Sequence, residues 1–551
     1  MTRNSTAEEK TKRRSKVFGL RHKASHDPRA AALAALYAVL YEGADSQAAL
    51  DAALRSVDLV PTDRRLCTEL LYGVLRWYLR LDSLVCARLK NPEKLPVEMR
   101  LALLSALYEL SALRIPAHAT VNWTVQHVRN RFGAGLAGVA NGVLRALQRE
   151  RVRLLPASFP SPAFFMAEKG AVQGVRGSAL PDGSSVAPAE TFFSDDITLA
   201  AEKSASDDVA LSAAYAMPQW IVRMWREQYG PEAAQNLLLA SQLPAPVGVR
   251  LNMHRDGWED LLGEVLAFAP DLAEHPEPES DAAGTGAASQ QAKGKNRNLA
   301  YRVGQCALAF SGSLPWMLRE PVKDGRASRQ SAASYEALFT LEPQTWPGPL
   351  WDACAGRGGK SLALIESGIP VALASDASPK RLLSLPEEFS RLFPDTVPAM
   401  PALCAASAGE VADMLETGVI QERLLPVSGA GEDVSGAAGP FPELFGTILV
   451  DAPCSGLGTL ARRPEIRIRR TPEDCKALVA VQKAILDTVW GRLAPGGLLV
   501  YVTCTKNMEE NQLQVEDFLK RQTGAVLEAQ FETSPDSPLG EFFYSARIQK
   551  A

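Results

Sequence analysis

From residue 350 onward the chain repeats one short pattern, and that pattern restricts the fold more than any other feature. An apolar run closes on an acidic or polar residue, a helical stretch follows, and another such run begins. The runs cover residues 350–352, 371–376, 447–451 and 498–503. Strands alternating with helices imply a parallel, doubly wound sheet with helices on both faces. Ligands of such sheets sit at the carboxyl ends of the strands, which is where the polar residues fall.

Upstream the texture differs. Residues 28–155 carry helical periodicity throughout, with Leu33, Leu36, Tyr37 and Leu40 in one stripe and Leu136, Val139, Ala140 and Val143 in another, so an all-α domain is expected. Residues 156–208 are rich in Pro, Gly and Ser and read as a flexible linker. Order resumes at Met217-Pro218-Gln219-Trp220, where Trp220, Ile221, Met224 and Trp225 form an apolar stripe best read as core. Two inserts, 274–298 and 427–440, have the composition of disordered surface loops.

Composition narrows the function. The 59 basic and 63 acidic residues leave a net charge of −4, which argues against a surface coated all over for nucleic acid. The first 26 residues are the exception: eight Lys/Arg stand against Glu8 and Glu9, and a basic arm over 1–27 is expected to be disordered. No apolar run reaches the roughly 18–20 residues of a membrane span, and the N-terminus lacks the apolar core of a signal peptide, so a cytoplasmic location is expected. Eight isolated cysteines with no CxxC pair, and six histidines, point to neither a disulfide framework nor a metal site.

The first strand of the repeat runs into Asp352-Ala353-Cys354-Ala355-Gly356-Arg357-Gly358-Gly359-Lys360-Ser361, a small-residue turn opening a helix. A phosphate-cradling P-loop needs glycine six positions before its lysine, and Cys354 stands there, so a nucleotide triphosphatase is disfavoured. The competing reading is a methyl-donor site. Glycines let the backbone approach S-adenosylmethionine, and a carboxylate ending the second strand, here Asp376, meets the ribose hydroxyls. A tight turn without a ligand is the plainer alternative.

The next strands deliver Asp451-Ala452-Pro453-Cys454-Ser455-Gly456 and Thr503-Cys504-Thr505, followed by Glu510-Asn511. Single buried cysteines are usually small hydrophobes. Two at strand tips beside a cofactor loop suggest chemistry instead. Carbon 5 of cytosine is a weak nucleophile until a thiolate adds at carbon 6. Such a thiol needs nearby positive charge, for which Lys360 and the Arg462/Arg463 pair are candidates, and a carboxylate such as Asp451 to hold the base. Which cysteine attacks stays open on this reasoning.

These motifs resemble the RsmB/Sun group of ribosomal RNA cytosine-C5 methyltransferases, related to the Nop and NSun enzymes. The cofactor loop, the Asp-Ala-Pro-Cys-Ser run, the Thr-Cys run and the ending Glu541-Phe542-Phe543-Tyr544 all match. So do Val249-Arg250-Leu251-Asn252 and residues 325–330. Upstream, Arg114-Ile115-Pro116-Ala117-His118-Ala119 and Asn141-Gly142-Val143-Leu144-Arg145 resemble the domain shared with the RNA-binding antitermination factor NusB.

The resemblance implies an all-α NusB-like domain over 28–155, a small α+β middle domain over 209–340 and a Rossmann-like methyltransferase domain over 341–551. It implies Cys504 as nucleophile, Cys454 in product release, Asp451 at the target base with Lys360 as helper, and S-adenosylmethionine held by Cys354 to Lys360, Asp376 and Asp451. A monomer acting on small-subunit rRNA is expected. A catalytically inactive RNA-binding assembly factor on the same fold is the rival. Four places depart from the family pattern: Arg357 replaces a proline, Ser331 an Asp, Ile468 an aromatic, and residues 402–410 lack an Asp.

Overall fold

The computed structural model describes residues 26–150, 154, 208–268, 273–274, 300–394, 398–425 and 442–551. Residues 1–25 of the basic arm, nearly all of the linker and the bulk of both inserts therefore lie outside the described residues. Two compact units emerge: Met1–Gln242 with Arg463–Arg469, and Leu243–Arg462 with Arg470–Ala551. The segment 209–340, expected as one middle domain, is thus divided between them.

The described part of the first unit is helical: α1 (Pro28–Glu42), α2 (Ser46–Ser56), α3 (Pro61–Cys86), α4 (Val97–Ala112), α5 (Ala117–Phe132), α6 (Ala134–Arg149), α7 (Asp208–Ala214) and α8 (Gln219–Ala240). Asp27 caps α1 by accepting from the Arg29 and Ala30 amides, and Pro28 suits the first turn. Alanine-rich α1 is buried along most of its length against α3 and α4. Its Arg29 makes a two-pronged ion pair with buried Glu109 at 2.8 and 2.7 Å, and Thr120 donates to the same carboxylate at 2.8 Å.

Residues 463–469 complete this unit from far along the chain. Arg467 is buried, donating to the carbonyls of Arg76 at 3.0 Å and Ser241 at 2.7 Å. Burial, reinforced by the charge of Arg76, pushes its guanidinium down to about 9. Ile468 packs against the helical core.

The second unit holds two sheets. The smaller, of five strands, orders β2 (Ala273–Glu274), β3 (Ala300–Val303), β4 (Ala307–Phe310), β1 (Val247–Leu251) and β5 (Ala327–Arg329). The seven-stranded sheet runs β11 (Ala525–Glu532), β12 (Tyr544–Lys550), β10 (Leu493–Thr503), β9 (Phe445–Asp451), β6 (Leu350–Asp352), β7 (Leu373–Ser375) and β8 (Ala402–Cys404). From β10 to β8 the strands are parallel, as the alternating pattern requires. The C-terminal pair β11–β12 is antiparallel, so the complete sheet is mixed. Central β9 is buried from Phe445 to Val450 because both faces are covered, and its polarity returns at Asp451. Among the described residues, no helix is long and apolar enough to cross a membrane.

A buried ion pair ties the small sheet to the cofactor-loop helix. Arg250 on β1 donates to Glu366 at 2.7 and 2.6 Å, both side chains being almost wholly buried. It also donates to Gln330, and Gln330 in turn donates to the Gly359 carbonyl at 3.3 Å. These contacts give the Val-Arg-Leu-Asn run and residues 325–330 a shared purpose, a fixed seat for the helix Gly359–Glu366. Removing one partner of such a pair leaves a buried charge uncompensated. Arg250→Met is expected to destabilise the second unit by about 3–5 kcal/mol. Denaturant titration of the full chain would show this as a lowered midpoint, and an unchanged midpoint would show that the pair does not hold the sheet and helix together.

Candidate active site

The carboxyl ends of β6, β7, β9 and β10 lie side by side, with Val502 in register with Asp451 and Asp352 in register with Leu449. The turn after β6 carries the glycine loop. Gly358 adopts φ +84°, and a side chain there would meet Leu385 at 2.7 Å, so both conformation and space call for glycine. Buried Asp352 fixes the base of the loop by accepting from the Ser361 hydroxyl at 2.6 Å. Burial pushes this carboxyl up to about 7, with the Ser361 bond opposing and the Asp451 charge adding.

Asp376 follows β7 and is nearly buried. It accepts from the Gly356 amide at 3.0 Å and the Ser378 amide at 2.7 Å, and pairs with exposed Arg381 at 3.0 Å. The second strand's carboxylate therefore faces the glycine loop, as a group meeting a ribose beside that loop must. Ala355 is tied to the same strand through its amide and the Ser375 carbonyl at 2.9 Å. Cys354 belongs to the loop as a half-buried thiol that burial holds well above the ordinary range. Arg357 points its substitution outward, being exposed.

Lys360, at the start of the loop helix, meets Asp451 at 2.6 Å. Burial opposes the ammonium charge, but the attraction of Asp451 and their hydrogen bond outweigh it and raise the lysine. Lys360 also lies 5.7 Å from the Phe543 ring centre. Asp451 is partly open to solvent, with one third of its side chain exposed.

The two strand-tip cysteines meet. Cys454 Sγ and Cys504 Sγ stand 3.3 Å apart, and the Cys504 amide donates to Cys454 Sγ at 3.4 Å. The hydrogen bond to Cys504, together with burial, pushes the Cys454 thiol well above its ordinary range, so Cys454 stays protonated at neutral pH.

Sequence reasoning placed Glu510 after the Thr-Cys run without giving it a task, and missed Gln482 and Arg470, which with it hold the Cys454 loop. Buried Glu510 accepts from the Ser455 amide at 2.8 Å and from Gln482 at 3.0 Å, while Gln482 also donates to the Pro453 carbonyl at 3.0 Å. Arg470 donates to the carbonyls of Ser455 at 3.1 Å and Cys454 at 3.4 Å. At Gly458 an added Cβ would lie 1.9 Å from the Phe542 carbonyl oxygen, so the loop packs directly on the last segment of chain. The Arg462/Arg463 pair, expected as a charge source for the thiols, is committed elsewhere. Arg462 grips Glu541 at 2.9 and 2.6 Å, and Arg463 pairs with Asp45 at 3.2 Å. Polarity in the sequence signalled positive charge but not its direction. Ser331 caps the helix Ala332–Phe339 by accepting from the Ser334 amide, a task that suits serine as well as aspartate.

Residues 338–541 match the model of the family described as 16S rRNA methyltransferase RsmB/F, and residues 26–149 match that of the NusB family. The ribosomal RNA small subunit methyltransferase B of Vibrio cholerae serotype O1 is 28% identical over 505 residues, covering 91% of this chain and 90% of that protein. The probable ribosomal RNA small subunit methyltransferase B of Bacillus subtilis (strain 168) is 25% identical over 519 residues, 94% of each. The crystal structure of PH0851 shares the fold, with a TM-score of 0.61 at 17% identity over 96% of this chain and 100% of that one.

Proposed function

Since residues 338–541 form a methyltransferase domain of the RsmB/F family and residues 26–149 a NusB-family domain, we propose that this chain methylates carbon 5 of cytosine in small-subunit ribosomal RNA. The observation that carries the cytosine chemistry is the 3.3 Å approach of Cys454 and Cys504 beside the Lys360–Asp451 pair. S-adenosylmethionine, when bound, supplies a methyl group on a sulfonium sulfur.

Cys504 adds its sulfur to carbon 6 of the ring, and the displaced electron pair makes carbon 5 nucleophilic. Asp451, steadied by Lys360, accepts a hydrogen bond from the polar edge of the cytosine and favours the electron-rich adduct. Once carbon 5 carries its methyl group, its proton passes to solvent water and the carbon 6–sulfur electron pair returns to Cys504. Cys454, held as a thiol within hydrogen-bond reach of that sulfur, assists this release. On this reading the chain acts as a monomer in the cytoplasm, with rRNA as its partner.

The test is bisulfite sequencing of rRNA from cells with and without the gene, where one or more cytosines should lose protection when the gene is absent. Transfer of label to rRNA that yields a methylated base other than 5-methylcytosine would sink the carbon 5 assignment and leave the rRNA methyltransferase in place.

The loop from Cys354 to Lys360, with Asp376 and Asp451 around it, fits the cofactor. A buried carboxylate bonded to the Gly356 amide fixes the loop where a ribose would meet both. Asp376→Ala should weaken binding of S-adenosylmethionine by about tenfold to a hundredfold, the loss of roughly 1.5–3 kcal/mol from charge-assisted hydrogen bonds. Calorimetry checks this. Unchanged affinity, or tight ATP binding with none for the methyl donor, would remove the assignment.

A further inference from the structure

Residues 110–149 contain no aspartate or glutamate, yet they carry Arg114, Arg129, Arg131, Arg145 and Arg149. Most of this stretch is the packed hairpin of α5 and α6. On α5 the exposed residues His118, Asn122, Gln126 and Asn130 recur every fourth position, which places them in one stripe, with Arg129 at its end. On α6 the exposed stripe runs Gly138, Asn141, Gly142, Arg145 and Arg149. The opposite faces are spent on the core, through Val121 and Val128 from α5 and Ala140 and Leu144 from α6. Neither stripe can be turned inward.

Two plainer explanations fall short. Arg129, Arg131 and Arg149 lie in last helical turns, where the helix dipole favours cations. The same dipole favours acids in the first turns, however, and both helices lack them, while Arg145 and Arg114 lie outside any last turn. An ordinary solvated face intersperses both signs. Several arginines elsewhere in this unit are paired, as Arg29 is with Glu109, Arg100 with Asp82 and Arg226 with Asp208. Arg55, Arg64 and Arg65, unpaired among the described residues, stand in segments that also carry acids such as Asp51, Asp58, Asp63 and Glu69. Among the described residues Arg114, Arg129, Arg145 and Arg149 have no ion pair. Added Cβ atoms at Gly138 and Gly142 would meet nothing within 4 Å, so packing does not demand glycine there, and a backbone can approach the helix closely.

We propose that the exposed face of the α5–α6 hairpin is the surface that docks the phosphodiester backbone of the RNA substrate. The proposal rests on the reading of the chain as an rRNA methyltransferase and assigns that substrate a place outside the catalytic unit. The guanidinium groups meet phosphates, and the amides of Asn122, Gln126 and Asn141 are suited to ribose hydroxyls and base edges. Charge complementarity selects RNA as the occupant: a hairpin whose two helices carry cations and amides and no carboxylate of their own gains most from a polyanion.

The test uses the full chain with Arg129, Arg131, Arg145 and Arg149 all changed to glutamine. The control changes the exposed Arg55, Arg64, Arg65 and Lys94 to glutamine, the same loss of charge on the same unit. Affinity for a small-subunit rRNA fragment is measured across a salt series, with binding of S-adenosylmethionine as a check on folding. The hairpin variant should bind RNA about tenfold to a hundredfold more weakly near 0.1 M salt, with a log–log salt slope shallower by about 3. The control should weaken by less than about threefold, and both should keep their cofactor affinity. Equal weakening in the two variants overturns the proposal, because general charge would then suffice. Unchanged RNA binding by the hairpin variant also overturns it while leaving the enzyme intact, and loss of binding only to protein-bearing subunits would hand the face to a protein partner. Wild-type protein that neither binds nor methylates rRNA would overturn the function itself, and the proposal with it.

Discussion

Cys504→Ala protein is expected to lose methyl transfer to rRNA and covalent capture of RNA together. Without the attacking sulfur, carbon 5 of cytosine is never made nucleophilic, so binding of both partners gains nothing. The fall in turnover should be at least about 10⁴-fold, as removal of a nucleophile commonly produces. Cofactor affinity should stay near its wild-type value, because the glycine loop is anchored by Asp352, Ser361 and Asp376 and not by this thiol. Methyl transfer with labelled donor, read beside calorimetry, separates the two effects. A Cys504→Ala protein that retained methylation would show that the covalent route is wrong.

The opposite failure is expected of Cys454→Ser or Cys454→Ala. Here attack proceeds but release stalls, so the protein should accumulate joined to RNA through Cys504. The adduct would survive denaturation, run as a slow band on a denaturing gel and collapse after ribonuclease treatment. The double variant should show no band. The geometry motivates the asymmetry: Cys454 is held as a thiol by its hydrogen bond to Cys504 and by burial, which suits it to donate a hydrogen bond to the departing Cys504 thiolate more than to attack. A band that appeared with Cys504 replaced and not with Cys454 replaced would reverse the two roles. If methylation survived both single changes, the pair would be packing alone.

Both outcomes depend on the loop that carries Cys454, and the residues that place it were the least legible. Glu510 was visible as an acid following the Thr-Cys run, and nothing local to it announces the Ser455 amide 55 positions away. Arg470 follows two arginines of similar appearance, Arg462 and Arg463, yet it is Arg470 that donates to the Cys454 carbonyl. Helix Ile466–Arg469 completes the first unit although the sequence on either side of it belongs to the second. A run of arginines reads as solvated charge until the carbonyls of Arg76 and Ser241 are seen to receive one of them.

By itself the sequence determined the alternation of strands and helices, the polar strand tips and the glycine turn. These are local properties, set by side-chain period, burial on both faces of a parallel strand and the steric freedom of glycine, and a window of about ten residues contains them. Only the tertiary structure decided which tips meet. Cys454 and Cys504 are brought within 3.3 Å because β9 and β10 are neighbours in register, and Arg250 reaches Glu366 across 116 positions because β1 packs beside the cofactor-loop helix. Strand order and register are settled by the burial of the whole apolar surface at once, so no short segment can specify which side chains face each other across them.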